Sequence, residues 1–313
     1  MSPKAQPPPW RDHTAYLLDR FGCRVHKISV DAGLSCPNRD GTIGTGGCIY
    51  CNAQGSGTGA AGRGLSVTEQ LASAKAYIRK RFGAEKFIAY FQAFTNTFAP
   101  VERLDALWSE ALAVPDVVGL SIGTRPDCAP EAVLDLAAGF ARRSFFWMEY
   151  GLQSAHDRTL ALIRRGHDAA AFADAVRRTR ARGIPVCAHV ILGLPGETTA
   201  DMIATADFLA KLDVDGVKLH LLYVVRGSRM EELYRSGRYE CLTEADYVDT
   251  ASAFLSRLPP RTVIQRLTGD PHPAELVAPL WALKSRNRVL AAIRARMDEL
   301  GLSQGSALHS PAP

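Results

Sequence analysis

The 313-residue sequence has no apolar run long enough to span a membrane, and its first ten residues lack the apolar core of a secretion signal. The first absence excludes a membrane-spanning helix, and the two together predict a cytoplasmic protein without a membrane partner. The excess of one charge sign over the other is also small, because the formal net charge is only +5. That small excess permits an RNA partner, although solvated surface charge explains it more simply.

Cysteine is sparse, yet three of the seven cysteines have a spacing typical of a metal site. Cys36, Cys48 and Cys51 form the pattern Cys-x11-Cys-x2-Cys in a loop rich in glycine and polar residues. In a chain expected in the reducing cytoplasm, three thiolates in one loop indicate metal binding rather than a disulfide. A [4Fe–4S] cluster normally takes four cysteines, so three would leave one iron free to bind a small molecule.

Zinc is the main alternative metal for this loop, because Cys-x2-Cys is a common half-site of zinc proteins. The sequence has no second such pair, and Cys23 or His26 could serve only at an unfamiliar spacing. A disulfide between Cys48 and Cys51 would leave Cys36 unexplained. A non-catalytic zinc or iron–sulfur binding module therefore stays open beside an enzyme.

Apolar, β-rich segments alternate with helical patterns along most of the chain, which predicts a parallel α/β fold. The predicted strands cover residues 26–31, 86–92, 117–123, 145–151, 185–193 and 213–222. The predicted helices cover residues 101–113, 129–141, 155–165, 168–182 and 198–212, and another begins at Ser66, which has capping-box spacing to Glu69. The first predicted strand is not followed by a phosphate-type glycine turn, and polar clusters follow the strand ends, so a barrel is favoured over a doubly wound sheet.

The pattern changes after about residue 223. Residues 226–256 are mostly helical in pattern, residues 262–267 suit a last strand, and residues 280–300 suit a basic helix. We therefore divide the chain into an N-terminal tail (1–20), a barrel domain (21–225), a mainly helical C-terminal extension (226–300) and a flexible tail (301–313).

Polar side chains follow the second and third predicted strands at their carboxyl ends. Asn96 and Thr97 could hold an ammonium group, or could simply form a turn and cap the next helix. Arg125 follows the third strand, where its planar guanidinium suits a carboxylate. A surface ion pair between Arg125 and Asp127 is the alternative.

The fourth and fifth strands carry polar residues where apolar ones are expected. Period-two alternation puts Glu149 on the same face as Trp147, and a carboxylate in a buried strand requires a partner. We predict that Glu149 faces the barrel lumen, with an edge-of-strand salt bridge as the alternative. His189 could face the same lumen, although a buried, hydrogen-bonded histidine is the simpler interpretation.

Two further features accompany the later strands. Gly193 and Gly196 would let the backbone approach a flat ligand closely, although such spacing also occurs in ordinary turns. Lys218 and His220 share one face of the sixth strand, which suggests a wet or ligand-filled lumen.

Taken in order, these segments resemble the radical S-adenosylmethionine (SAM) enzymes, and most closely the bacterial group similar to the radical domain of the elongator catalytic subunit. The resemblance covers about residues 21–290. Tyr50 stands directly before the third cysteine, as in the cluster loop of that superfamily. The other matching segments are residues 90–100, 119–128, 149–154, 164–167, 189–197, 266–270 and 281–284.

The resemblance implies a partial (β/α)6 TIM-like barrel in which Cys36, Cys48 and Cys51 hold a [4Fe–4S] cluster. SAM would chelate the open iron, and a one-electron reductant of the flavodoxin or ferredoxin type would drive its cleavage to a 5′-deoxyadenosyl radical. Such a radical needs an enclosed site, so the extension would act as a lid or substrate cradle. No auxiliary cluster is implied, because Cys23, Cys128, Cys187 and Cys241 have no cluster spacing.

The resemblance also implies a set of SAM contacts, although the common Gly-Gly-Glu segment after the second strand is absent. The implied contacts are Asn96, Thr97, Arg125, Glu149, Gln153, His189 and Gly193. Relatives in the elongator-like group are associated with wobble-uridine side chains of tRNA, so tRNA is the implied substrate. The basic segment 280–300 would then help to hold phosphates. A small-molecule substrate is the alternative.

Overall fold

The computed structural model of the chain describes residues 7–52, 55, 60–269 and 271–308. Its strands are β1 Val25–Val30, β2 Lys86–Phe91, β3 Val117–Thr124, β4 Phe145–Gln153, β5 Val186–Leu192, β6 Gly216–Leu221, β7 Val224–Val225, β8 Val263–Arg266 and β9 Leu276–Ala278. Its α-helices are α1 His13–Phe21, α2 Val67–Phe82, α3 Val101–Ala113, α4 Glu131–Arg143, α5 Asp157–Leu162, α6 Ala169–Arg180, α7 Thr199–Lys211, α8 Arg229–Arg235, α9 Glu244–Ser256 and α10 Arg286–Glu299. Among these helices none has the length and apolar character that a membrane crossing needs.

Seven strands form one parallel sheet in the order β1-β2-β3-β4-β5-β6-β8, within the described part of the chain. The sheet curves into a half-barrel with helices around it, which confirms the predicted partial TIM-like α/β fold. The last strand, β8, comes from segment 262–267 of the predicted extension and pairs in parallel with β6. Because β1 lies at one end of the strand order, one of its edges has no strand partner among the described residues.

Alternation along β4 separates the outer core from the barrel interior. Met148 and Tyr150 belong to the large apolar core between the sheet and its helices. Trp147 and Glu149 take the opposite face, and both are buried. The period-two prediction for Glu149 is therefore confirmed, and the sheet brings a charged side chain into the barrel interior.

Helix α1 packs against the amino-terminal ends of the strands. Asp12 caps it by accepting the N–H groups of Thr14 and Ala15. Tyr16 packs edge-on against Trp147, and Leu17 joins a small apolar cluster with strand residues. This helix closes the floor of the half-barrel, whereas the sequence had placed the segment in the predicted N-terminal tail, of which residues 1–6 lie outside the described residues.

The two ends of the described chain meet beside this floor. The Arg11 N–H donates to Gln304 Oε1 at 2.8 Å, and the Gln304 N–H donates to Pro9 O at 2.9 Å. Gln304 is buried, and its amide also donates to the carbonyls of Pro259 and Thr262. Residues 301–308 thus form packed turns, while residues 309–313 of the predicted flexible tail lie outside the described part.

The helix predicted over residues 280–300 is wrong in its first third. A 3-10 turn spans Leu280–Leu283, and α10 begins only at Arg286. Lys284 and Ser285 between them have extended backbone angles. The physical reason is a tertiary contact, because the Trp281 indole N–H donates to Leu242 O at 3.0 Å and fixes the turn separately from the helix.

Candidate cofactor site at the mouth of the half-barrel

A cavity of about 280 Å³ opens at the carboxyl ends of the strands. The cysteine loop, the strand ends and the C-terminal extension all contribute to its walls. Its polar lining includes Cys36, Cys48, Cys51, Thr95, Arg125, Gln153, Arg165, His189, His220 and Glu275. The three loop cysteines therefore face one small space together, as their spacing predicted.

Backbone hydrogen bonds hold the cysteine loop against two helices. The Ile49 N–H donates to Ile163 O at 3.1 Å, just after α5, and the Met230 N–H in α8 donates to Ile49 O at 2.9 Å. Ile49, Ile163 and Met230 also belong to one apolar cluster. The extension thus fixes the loop between Cys48 and Cys51, which gives α8 a structural role at the mouth.

The thiol of Cys48 has the most polar surroundings of the three. It is buried and accepts from Asn38 Nδ2 at 3.5 Å and from Arg165 Nη1 at 3.7 Å. A hydrogen bond from Cys51, together with the charge of Arg165, holds the pKa of Cys48 well below its usual value despite burial. The same bond raises the pKa of Cys51. Thiolates are the ligands that iron–sulfur clusters take, so this donor set fits a cluster.

Two buried polar atoms on the cavity wall have no hydrogen-bond partner among the described residues, Thr95 Oγ1 and Arg165 Nε. Buried polar groups are normally satisfied, and a ligand in the cavity would give these two a partner. Gly151 adds to this picture, because a Cβ there would lie 2.5 Å from Gln153 Nε2 and 2.6 Å from Arg165 Nη2. A polar ligand with a carboxylate and hydroxyl groups, such as SAM, fits these donors.

Three of the predicted SAM contacts, Arg125, Gln153 and His189, line the cavity. Arg125 is buried, and it donates to both carboxylate oxygens of Asp127 at 2.8 and 3.0 Å and to Arg165 O at 2.8 Å. Its guanidinium is therefore already paired with a carboxylate. Arg125 orders the segment that carries Arg165, a residue to which the sequence assigned no role.

The other four predicted contacts are not among the described residues that line the cavity. Asn96 donates to Gly123 O at 2.8 Å, while its Oδ1 is buried without a partner among the described atoms. Thr97 bonds to Thr124 and to the carbonyl of Cys128, so it ties neighbouring strand ends together. The remaining two are Gly193, whose carbonyl accepts from the hydroxyl of Tyr239, and Glu149.

Glu149 is the centre of a buried ionic network. It accepts from Lys27 Nζ at 2.6 Å and from His189 Nε2 at 2.7 Å, and it also bonds to Lys218 and Ser121. Burial alone would raise the pKa of Glu149, but the ammonium groups of Lys218 and Lys27 hold it well below its usual value. The sequence analysis missed Lys27, although its position in an alternating strand was a usable signal.

The network sets the protonation state and the tautomer of His189, which connects Glu149 to the cavity. Burial lowers the pKa of His189 to about 4, so the imidazole is neutral near pH 7. Because a carboxylate only accepts, Nε2 carries the proton and Nδ1 is left as an acceptor. His189 can thus accept a hydrogen bond from an amine or hydroxyl group of a ligand.

A parallel half-barrel with a three-cysteine loop and a small polar cavity at its mouth is the arrangement of an α/β protein built to hold a metal centre and a small cofactor. The chain belongs to the radical SAM superfamily, whose family model matches residues 40–209. A second family model, the Radical_SAM C-terminal domain, matches residues 214–299. The cofactors of this chain are accordingly a [4Fe–4S] cluster and SAM.

Individual relatives are similar to this chain over different shares of their length. The chain is 42% identical over 297 residues to the uncharacterized protein YtqA of Bacillus subtilis, covering 94% of this chain and 92% of YtqA. Human Elongator complex protein 3 is 30% identical over 157 residues, which is 49% of this chain and only 28% of that protein. In fold, the archaeal Elp3 of Methanocaldococcus infernus is similar with a TM-score of 0.70 at 18% identity, covering 90% of this chain and 64% of that one.

Proposed function

We propose that this radical SAM enzyme modifies tRNA, at the side chain of the wobble uridine, in the cytoplasm. The observation that carries the proposal is the sequence similarity to Elongator complex protein 3 across about half of the chain. The radical domain of that group is associated with wobble-uridine side chains, and the tRNA substrate is inferred from this association. An external one-electron donor of the flavodoxin or ferredoxin type belongs to the same proposal.

In this proposal Cys36, Cys48 and Cys51 would hold the [4Fe–4S] cluster, which would supply the one-electron chemistry needed for SAM cleavage. The chain's own residues bind and orient. Arg165 and Thr95 offer the unpaired donors described above, and His189 offers an acceptor.

The positive charge of α10 is less available to an RNA than the sequence suggested. Lys284, just before the helix, and Arg288, in its first turn, bond to Glu244 at 2.9 and 3.2 Å. Arg296 bonds to Asp249 at 2.7 Å. Because these cations already have carboxylate partners, this helix is not the strongest candidate for contact with phosphates.

A second surface suits RNA better, and we call it the basic–aromatic surface. It lies at the end of α2 and the start of β1, and its members are Arg24, His26, Tyr77, Lys80, Arg81 and Phe82. The Tyr77 side chain is 61% exposed and that of Phe82 is 40% exposed. The Arg81 guanidinium lies 6.0 Å from the ring centre of Tyr77 and 5.4 Å from that of Phe82.

This combination of groups is typical of surfaces that bind single-stranded RNA, where bases stack on aromatic rings and cations contact phosphates. Asp116 neutralises Lys75 and Arg79 nearby. Within the described residues, Lys80 and Arg81 have no carboxylate partner. The surface adjoins β1, whose six residues span about 20 Å toward the cavity mouth. A tRNA is long enough to contact both places.

A strain that lacks this protein will lose a side-chain-modified wobble uridine from its tRNA. Mass spectrometry of nucleosides from purified tRNA measures the loss. Complementation with the wild-type chain will restore the nucleoside, and complementation with Cys36→Ala will not. An unchanged nucleoside profile in the deletion strain would contradict the tRNA proposal and favour a small-molecule substrate for the same radical chemistry.

Tyr77→Ala and Arg81→Ala will each weaken tRNA binding by about tenfold, the size expected for one stacked base or one desolvated cation. Anaerobic binding titrations of the cluster-loaded protein at several salt concentrations measure both the affinity and its salt dependence. Arg81→Ala will also reduce the salt slope by about 1, whereas Tyr77→Ala will leave it unchanged.

Arg103→Ala, which removes an exposed cation from α3, serves as the matched control for charge. It should bind tRNA as the wild type does. If Tyr77→Ala and Arg81→Ala bind tRNA with the same affinity as Arg103→Ala, the result would contradict the basic–aromatic surface as the RNA contact.

A further inference from the structure

Arg165 combines burial with direct contact to a cluster cysteine. Its side chain is only 7% exposed, and Nη1 lies 3.7 Å from Cys48 Sγ. Nη2 donates to Gly151 O at 2.7 Å, and Arg125 supports the backbone by donating to Arg165 O. The guanidinium is therefore held from two sides, with one N–H directed at sulfur.

Asn38 supplies a second donor to the same sulfur. Its Nδ2 lies 3.5 Å from Cys48 Sγ and 2.7 Å from Arg164 O. Among the described residues Cys36 accepts no such bond. Among the described residues, the side-chain N–H donors to sulfur are thus found at Cys48, while the charge of Arg165 also acts on Cys51.

Donors to a cluster sulfur have a known electrostatic consequence. Reduction adds one negative charge to the cluster, and nearby N–H dipoles and cations stabilise that charge. An arginine stays protonated, and burial reduces the screening of its charge by water. Both effects favour the reduced cluster, so they raise its reduction potential.

We propose that Arg165 and Asn38 are positioning residues that raise the reduction potential of the cluster by donating N–H groups to Cys48. The proposal rests on the cluster ligation put forward above. One electron from an external donor of the flavodoxin type reduces the cluster, while no proton moves and no bond forms or breaks at either residue. Their effect is to let a donor of moderate potential start the reaction.

Three variants separate charge from hydrogen bonding. Arg165→Met removes the positive charge and the N–H groups that bond to Cys48 and Gly151, at similar side-chain volume. Arg165→Lys keeps the charge. Asn38→Ala removes the neutral N–H donor to Cys48. Arg164→Met is the matched control, because Arg164 is an exposed neighbour. The measurement is an anaerobic potentiometric titration of the reconstituted full chain, followed by the electron paramagnetic resonance signal of the reduced cluster.

We expect Arg165→Met to lower the reduction equilibrium constant at least about tenfold, which is 59 mV for one electron. Asn38→Ala and Arg165→Lys should give smaller shifts in the same direction, and Arg164→Met should give none. A midpoint for Arg165→Met equal to that of Arg164→Met would overturn the proposal.

If Arg165→Met fails to hold a cluster, the midpoint potentials of Arg165→Lys and Asn38→Ala test the proposal instead. Midpoints equal to that of the wild type in both variants would overturn it. Failure of the ligation itself gives a different result. In that case the wild-type chain shows no signal of a reduced cluster, or Cys48→Ala retains the wild-type signal and midpoint.

Discussion

Replacing Cys36, Cys48 or Cys51 with alanine will abolish both cluster assembly and SAM cleavage. All three line the same cavity, and a cube with one corner left for SAM has no spare protein ligand to lose. Iron and sulfide content after anaerobic reconstitution measures the first effect. Release of 5′-deoxyadenosine from SAM and dithionite measures the second, which should fall to the background without enzyme.

Cys23→Ala is the matched control, because Cys23 is a partly exposed cysteine outside the loop. It should keep wild-type iron content and SAM cleavage. Zinc in the purified wild-type chain, with no SAM cleavage after reconstitution, would instead support a non-catalytic binding module. Wild-type activity in any of the three loop variants would contradict the ligand assignment.

Glu149→Gln will cost about 3–5 kcal/mol of the free energy of unfolding, because it leaves the buried ammonium group of Lys218 and the partly buried one of Lys27 without their carboxylate. Glu149 is completely buried and contacts both Lys27 and Lys218. The glutamine has nearly the same shape, so the loss reports the charge rather than a cavity. Denaturant unfolding of the cluster-free chain under anaerobic conditions measures it.

The loss of unfolding free energy in Glu149→Gln will grow as the pH falls below about 7. Burial lowers the pKa of Lys218 to about 7, although Glu149 opposes the shift. Without the carboxylate this folded-state pKa falls further, while the unfolded chain still binds the proton. Below pH 7 the variant therefore loses stability with falling pH more steeply than the wild type, whose Lys218 is protonated in both states.

Glu131→Gln is the matched control for this prediction. Glu131 also bonds to two cations, Arg178 and Arg182, but its side chain is 61% exposed. Its loss should be a small fraction of that at Glu149, with little difference between pH 6 and pH 8. Equal losses at both positions would mean that the buried network contributes no more than surface charge.

The sequence predicted the parts of the fold that depend on local pattern. Helix α3 has the predicted bounds, and the Ser66 capping box is present with its reciprocal bonds to Glu69. The cysteine spacing and the inward position of Glu149 were likewise readable, because both follow from spacing along one segment. These features need no knowledge of which distant segments meet.

Contacts between distant segments were not predictable in the same way. Arg165 lies 117 positions from Cys48, and its role follows only from the turn that points it at sulfur. Lys27 reaches Glu149 across 122 positions. Helix α1 is a different case, because Asp12 as an N-cap and Gly22 as a C-cap were visible signals that the proline-rich start of the chain obscured.

The floor of the half-barrel also constrains the order of biosynthesis. Arg11 and Gln304 are 293 positions apart, so α1 reaches its final support only after nearly the whole polypeptide has left the ribosome. At ordinary translation rates this delay is about 15–60 s. The apolar side of α1 meets its neighbours much earlier, because Leu17 packs with Val25 and Ile88 and Tyr16 packs against Trp147. Only the polar support at Arg11 therefore waits for the C-terminal residues.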